Sequence, residues 1–471
     1  MARRDIIFLS VLAFLAGLTA AGNVLNFPTV LLGGFLFFIA LGGRLGGPRR
    51  GVCFLLFLCA GFWYYHLFFA YRAEQRELPA TGERWQAEIT AAERRESYTL
   101  ATGSLQPPYR GQIQMLLPRY PDRKYGEVIA ATEPILPAPD LTGLPFVRYP
   151  SVELLTDQGG NPLRRHLLGL REASISHFRQ ILPQAEAALL AGITFGARAD
   201  FGEDLRQAMA RSGTVHLVAL SGYNIAVLIN VLEKILRGFL PRKICFVALV
   251  SGIIGFVFLT ALEPSIIRAA LMGFLAVLAL ETGRLYDFRN SMVLAAAAMS
   301  LFSPTLIVRD LGFQLSFLSL LGIAYLAPRL AAMVRWTDHL AGNGWRAIIL
   351  LTMAAQLAVW PVLVLAFGSF SLSAPLANLL ILPLIPLTMG FGFLFAVAAW
   401  FLPLLDFFGA AIGRLVLGYE LQVVRILGQP NWVMNVGALS VSAAVVYYGA
   451  LGYWLFRSPK ISPVAIPLEQ Q

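Results

Sequence analysis

The amino-acid sequence predicts a mainly α fold: a polytopic bundle of membrane helices, some of them broken, with one small external β domain near the N-terminus. Three observations carry this. Of 471 residues 57% are hydrophobic and 14% charged, where a soluble protein of this length would carry roughly 25% charged residues. Long apolar runs, such as Ile6 to Ala21, Phe27 to Leu41 and Val52 to Ala70, each approach the ~20 residues that a membrane helix needs. Between Arg72 and Arg211 the composition changes, with 17 Lys and Arg against 17 Asp and Glu, and short alternating segments replace the apolar runs.

The N-terminal segment, residues 1–71, reads as transmembrane helices. No small-residue cleavage site followed by a polar domain comes after Ile6 to Ala21, so this run reads as a retained helix and not a signal peptide. The charge-balanced stretch leaves the whole +10 excess to the apolar remainder of the chain. The positive-inside rule accounts for that excess, so basicity alone is no mark of nucleic-acid binding. The same rule sets orientation. Arg3 and Arg4 put the N-terminus in the cytoplasm, and Arg44, Arg49 and Arg50 are inside after the second run. The third run exits, which places residues 72–212 outside. The chain re-enters through the segment with His216, and Arg237, Arg242 and Lys243 fall inside again, as do Arg284 and Arg289 two helices later.

Residues 72–140 read as the external β domain. Trp85 to Thr90, Tyr98 to Ala101, Gln112 to Leu116 and Glu127 to Ala131 show partial alternation with β-branched or aromatic content. Gly103, Pro107-Pro108, Gly111, Pro118 and Pro121 punctuate them. An OB-fold fits this length. Such folds bind single strands with aromatics in a basic groove, and Trp85, Tyr98, Tyr109, Tyr120 and Tyr125 with Arg110, Arg119, Arg123 and Lys124 are the candidate DNA contacts. Ordinary core and turn roles for these residues stay open. Residues 141–212 are expected to be an external or interfacial helical segment. Leu189, Leu190, Ile193, Leu205 and Met209 form an amphipathic repeat interrupted by Gly192 and Gly196, which suits helices lying on the outer membrane face.

Residues 213–457 are the main membrane domain, followed by a short tail, 458–471. Four polar groups stand in or beside its apolar runs. The first holds His216, Ser221 and Asn224, with Ala219, Gly222 and Ala226 as a small-residue stripe that admits a close helix neighbour. His216 and Ser221 are five residues apart, about 140° around a helix, so they make a poor nucleophile–base pair. The second is Glu263-Pro264-Ser265-Ile266-Ile267-Arg268, a proline-started helix whose N-terminus and arginine could attract an anion, or whose Arg268 could pair with Glu263 or Asp310. The third is Arg309 to Phe317, where Asp310 could cap a helix carrying Gln314, Ser316 and Ser319 into the membrane. The fourth runs from Gln356 and Trp360-Pro361 through Phe367-Gly368-Ser369-Phe370 to Pro375, Asn378, Pro383 and Pro386. Prolines this dense are expected to break helices, and discontinuous helices build transport paths.

Cys53, Cys59 and Cys245 all lie in apolar runs, with no Cys-x-x-Cys and no Cys/His cluster, so no metal site, cofactor or catalytic constellation is expected. The histidines are His66, His166, His177, His216 and His339, and they form no His-x-His-x-Asp-His cluster.

In this order, Gly213-Thr214-Val215-His216-Leu217 with Ser221-Gly222, then Ser265 to Arg268-Ala269 and Met272, then Gly312-Phe313-Gln314-Leu315-Ser316-Phe317, then Phe367-Gly368 with Pro375 and Asn378, resemble the membrane core of the ComEC competence family, in a short form lacking the metallo-β-lactamase-like domain of longer members. The section Trp85 to Leu136 is similar to that family's outer OB-like domain. The resemblance implies a bacterial cytoplasmic membrane protein that imports single-stranded DNA during natural transformation. It also implies partners: a DNA receptor outside, and cytoplasmic ATP-driven and single-strand-binding proteins; a separate nuclease, if that activity is needed, and a second copy of the chain are further candidate partners that the resemblance does not supply. His216, Ser221, Asn224, Arg268 and Gln314 carry over as motif positions only; with Ser316 and Asn378 they are the candidate residues of the DNA path. The rival readings are a transporter or exporter of another solute, a membrane-embedded hydrolase built on Ser221 and His216, and a family member with no transport role.

Overall fold

The computed structural model describes residues 3–22, 48–94, 97–137, 143–197, 201–218, 222–260, 262–283, 286–336, 344–401, 404–437 and 440–457. The apolar run from Phe27 to Leu41, and the basic residues Arg44 and Arg284, lie outside them.

Helices α1 (Arg3–Gly22) and α2 (Pro48–Glu74) open the chain. Strands β1 (Trp85–Arg94), β2 (Tyr98–Leu105), β3 (Gln112–Pro118), β4 (Val128–Ala131), β5 (Phe146–Arg148) and β6 (Glu153–Thr156) follow. Next come α3 (Pro162–Ile181), α4 (Gln184–Phe195), α5 (Glu203–Ser212), the single turn α6 (Val215–Val218), α7 (Gly222–Arg237), α8 (Arg242–Leu259) and α9 (Pro264–Glu281). Beyond these are α10 (Phe288–Phe302), α11 (Leu306–Arg309), α12 (Leu311–Leu321), α13 (Ala327–Met333) and α14 (Trp345–Phe367). The chain continues through β7 (Ser369–Ser371), α15 (Ala374–Ile381), α16 (Ile385–Phe401), α17 (Leu404–Leu427), β8 (Val433–Asn435) and α18 (Val441–Arg457). Among the described residues six helical stretches are long and apolar enough to cross a membrane: Val52–Glu74, Arg242–Leu259, Pro264–Glu281, Leu311–Met333, Trp345–Phe367 and Ala374–Ala396.

The elements form two compact units. The first comprises Met1–Arg171 with Arg289–Asp310. In it α1 and α2 touch backbone to backbone. A Cβ added at Gly17 would stand 2.0 Å from the Leu58 carbonyl oxygen, and one at Gly61 would stand 2.0 Å from that of Phe14. Only two glycines facing each other's carbonyls permit that approach. The β strands make one sheet in the order β5-β3-β2-β1-β4-β6. All four expected strands are present, and β5 and β6 extend the sheet to Thr156, past the boundary expected at residue 140. The central β1 pairs with β2, through a bulge between Ile89 and Ala91, and with β4, and β3 and β5 are parallel. This pairing leaves β5 and β6 as edges, so the expected barrel closure is not among the pairings of the described residues. The pleat sends Trp85, Ala87 and Ile89 of β1 to one face, where they meet Ala101, Ile113, Met115, Leu117, Ile129 and Val147 in the core.

The second unit comprises Glu172–Phe288 with Leu311–Gln471. Its centre is α4, buried from Ala187 to Phe195. A helix that is apolar all round belongs in a core, so α4 is a core element and not an amphipathic helix lying on a surface. Gly192 does not interrupt it: a Cβ there would meet Val218 Cγ1 at 2.3 Å, so the glycine serves packing, and only Gly196, at φ 71, ends the helix. Leu205 and Met209 are buried on α5 as their spacing predicts.

Pro361 also departs from expectation. It sits inside an uninterrupted α14. Proline has no N–H for the carbonyl four residues back, here Leu357. The Tyr447 hydroxyl of α18 donates to the Leu357 carbonyl at 2.8 Å, and the Tyr448 hydroxyl donates to the Ala358 carbonyl at 3.0 Å. The break comes later, at Gly368 (φ 69). There β7 pairs with β8, the Leu372 N–H donates to the Trp432 carbonyl, and the Ser373 hydroxyl donates to that of Leu427. Irregular backbone among apolar helices needs such internal partners.

Candidate functional site

The four polar groups all fall in the second unit, apart from Arg309 and Asp310, and local packing joins each to the next. Gly213 ends α5 in the left-handed region, and a Cβ there would stand 2.5 Å from Ala374 Cβ and 3.3 Å from Ser371, so the first group touches the fourth. Gly222, at the head of α7, faces Ala269 of α9 across 3.8 Å from its would-be Cβ. Lower on the same seam Gly273 receives Ile225 and Ile229. The first group therefore packs on the second. Arg268 then lies over the Phe317 ring of α12, with its guanidinium carbon 5.5 Å from the centroid, which joins the second group to the third. A backbone approach of Gly322 to Ala354 joins α12, through the π-helical turn Gly322–Leu326, to α14. Asn378 Nδ2 lies 3.5 Å from Thr352 Oγ1 of α14, which brings in α15.

The individual positions differ in character. His216 is exposed on α6, with Nδ1 3.0 Å from the Gly213 carbonyl oxygen. Asn224 is buried and donates to the Ile193 carbonyl of α4 at 3.0 Å. This helix-to-helix bond makes Asn224 a structural clamp in this state. Arg268 is 5% exposed, within a turn of Pro264, with Nη2 3.5 Å from Ser265 Oγ. Its guanidinium makes no ion pair among the described residues, so the internal salt bridge open from the sequence does not form there. A cation over an aromatic face within about 6 Å is held favourably, but Phe317 brings no negative charge to neutralise it. Gln314 and Ser316 are half-buried on α12, and the Ser316 carbonyl accepts from the Ser319 hydroxyl at 2.8 Å. Asn378 is buried, and its Oδ1 has no partner among the described residues. Ser221 and Ala219 lie outside the described residues, and Ala226 is half-buried.

The candidate contacts of the β domain separate by burial. Trp85 is 1% exposed, packs in the sheet core and donates its indole N–H to the Glu133 carbonyl at 2.8 Å. It has no free face for a base to stack on, so its role is the core one. Arg123 is committed to Glu127 at 3.5 Å, with both side chains nearly buried. Arg164 stacks over Tyr125 at 4.3 Å, and the Tyr125 hydroxyl accepts from Asn161 N–H. Tyr98 is half-buried. Arg110, Arg119 and Lys124 are exposed, as is Tyr120 at 67%, with the Arg119 guanidinium 5.6 Å from its ring centroid. The Tyr109 hydroxyl donates to Glu83 at 2.8 Å. That bond, with a second from Ala80 N–H, holds the Glu83 carboxyl below the usual carboxylate range.

Sequence reasoning missed Thr194 of α4, Thr388 of α16 and Glu420 of α17, three polar side chains fully buried in the second unit. Glu420 was legible as an acid within Leu417-Gly418-Tyr419-Glu420-Leu421. No group of three or more His, Cys, Asp or Glu side chains suited to a metal occurs among the described residues.

Residues 193–460 match the family model described as Competence protein. Over 222 residues the chain is 27% identical to ComE operon protein 3 of Bacillus subtilis (strain 168), a match covering 46% of this chain and 27% of that protein. Over 219 residues it is 26% identical to Uncharacterized protein YcaI of Escherichia coli (strain K12), covering 42% of this chain and 27% of that protein. The chain thus spans about a quarter of the length of these curated relatives. No solved structure matches it.

Proposed function

The chain belongs to the competence protein family, whose model matches more than half of it, and from that premise we propose that it forms a path for single-stranded DNA through the bacterial cytoplasmic membrane during natural transformation. The observation that carries this reading is the run of contacts that joins the four polar groups one to the next, with the buried Arg268 as one link in it. A polyanion cannot enter hydrocarbon, because charge at membrane depth is costly without compensation. A path for it needs polar walls, broken or kinked helices and a cation that is not already neutralised. Arg268, within a turn of the α9 N-terminus and with no acidic partner among the described residues, fits the last of these. A guanidinium offers forked donors to a phosphate, and a helix N-terminus adds its own N–H groups.

In this reading the N-terminus is cytoplasmic and the β sheet faces outward, where Arg110, Arg119, Tyr120 and Lys124 are exposed. The partners are a receptor delivering DNA from outside, cytoplasmic ATP-driven and single-strand-binding proteins that draw the strand in, and a nuclease that removes the other strand. The chain itself acts as a conduit without catalysis. The test is deletion of the gene in its host, followed by exposure to labelled double-stranded DNA. Label protected from added nuclease should fail to reach the cytoplasm, and the intact gene should restore it. Unchanged entry in a competent host, with no second copy of the gene, would move the reading to a transporter of another solute.

A further inference from the structure

The packing of α16 and α17 encloses a carboxyl group that the DNA path does not use. Glu420 is 1% exposed. Its Oε1 lies 2.6 Å from the Thr388 hydroxyl oxygen, and its Oε2 is buried with no partner among the described residues. The Thr388 hydroxyl also lies 3.2 Å from the carbonyl of Leu384, four residues back in the turn that leads into α16. A hydroxyl has one proton and can donate only once, but it can accept as well. If Glu420 were a carboxylate, Thr388 would serve either Glu420 or Leu384, and a full negative charge would sit beside an unpartnered oxygen. If Glu420 is the neutral acid, its O–H donates to Thr388 Oγ1 and Thr388 donates to Leu384. Both short distances are then used, and the oxygen left over carries no charge.

Glu420 makes no ion pair among the described residues, and α4, α5, α15 and α16, the helices packed most closely on α17, bring no compensating charge to it. α15 and α16 contain no charged residue. α4 contributes only Glu186, two turns before Thr194 and near the helix start. On α5, Arg206 pairs with Glu203 and Arg211 bonds Gln207, while Asp204 is exposed. On α17 itself Arg414 donates to the Ile181 carbonyl. Arg414 and Arg425 are exposed and stand six residues before and five after Glu420, roughly 120–140° around the helix from it. An unpaired charge buried this way costs several kcal/mol, and a neutral acid avoids that cost.

We propose that Glu420 is a proton-binding site whose proton locks α16 to α17. The bound proton completes the chain Glu420–Thr388–Leu384. On its loss the O–H bonding pair stays on the carboxylate and the proton passes to water, and the charged group must then draw water into the seam. Thr194 Oγ1 would gain a partner at the same time. It is buried, unpartnered among the described residues and pressed against Gly392, one turn along α16 from Thr388. The inference stands on packing alone, so its failure would leave the DNA reading untouched.

The experiment uses the full chain in lipid nanodiscs, with wild type and Glu420→Gln compared by infrared spectroscopy and by hydrogen exchange across pH. Wild type should show a protonated-carboxyl band near neutral pH that the variant lacks. As that band disappears at alkaline pH, residues 385–427 should lose protection in wild type and keep it in Glu420→Gln, which mimics the neutral acid. Identical bands in the two proteins near neutral pH, or loss of the band without loss of protection, would overturn the proposal. If the variant does not fold, wild type carrying isotope-labelled glutamate decides: no protonated glutamate near neutral pH refutes the site. Protection that follows sodium or potassium at fixed pH would assign a metal cation in place of the proton and also overturn it.

Discussion

The repair of α14 at Pro361 can be tested by removing either half of it. Tyr447→Phe deletes the hydroxyl that reaches the Leu357 carbonyl, the acceptor orphaned by the proline. An intramolecular hydrogen bond contributes about 0.5–1.5 kcal/mol net, and an acceptor left buried without a partner costs more. Between membrane helices measured values average about 0.6 kcal/mol and reach about 1.7. The substitution should therefore destabilise the second unit by about 1 kcal/mol. In a Pro361→Ala background the backbone regains an N–H for Leu357, and the tyrosine hydroxyl becomes redundant. There Tyr447→Phe should cost close to nothing, so the coupling between the two substitutions should approach the full cost of the single one. The assay is reversible unfolding of the four proteins of the cycle in mixed detergent, read as free energy. Equal costs for Tyr447→Phe in both backgrounds would refute the reasoning, because the hydroxyl would then serve something other than the proline.

Other outcomes follow from the same structure. Trp85→Ala should cost about 3–5 kcal/mol as a core truncation, visible as loss of the cooperative unfolding of the β sheet, whereas Tyr120→Ala, on an exposed ring, should leave that transition in place. Gly17→Ala should strain the α1–α2 contact by about 1–3 kcal/mol, measured as a lowered unfolding midpoint; an unchanged midpoint would place the helices farther apart than described. Glu83 and Glu133 give the β sheet an acid limb. Glu83 is held low by the Tyr109 hydroxyl and Ala80 N–H, and Glu133, despite burial that acts to raise it, is held low by bonds from Ser151 and Thr132 N–H. Both contributions are complete above the ordinary carboxylate value of 4.5 and fade as pH falls through the lower folded values. The protection of residues 85–156 against hydrogen exchange, corrected for the pH dependence of intrinsic exchange, should thus fall in acid, and Glu83→Gln with Glu133→Gln should flatten that dependence.

The apolar runs and the alternation in Trp85 to Ala131 made the membrane helices and the sheet legible, because each depends on local period. Trp85 could have been placed in the core on the same ground, since it shares a β1 face with Ala87 and Ile89. The four polar groups were legible as positions, while their joining was not, because Gly213 against Ala374 and Arg268 against Phe317 are contacts between distant segments. Pro361 misled for a physical reason: the donor that keeps α14 whole comes from Tyr447, on another helix. Glu420 was legible as an acid in an apolar run, but its burial was obscured by the other charges of its own helix. With Asp406, Arg414 and Arg425 along it, α17 looks amphipathic, and only the packing of α4 and α16 shows which charge is enclosed.

Arg268 is the cation that the DNA path depends on, and its role is tested by entry of labelled DNA into competent cells whose own copy is deleted and replaced by Arg268→Ala, with protein level and membrane insertion matched to wild type. Protected cytoplasmic label should disappear in Arg268→Ala and be partly regained in Arg268→Lys, which keeps the charge and loses the fork. Wild-type entry in Arg268→Ala cells would contradict that role.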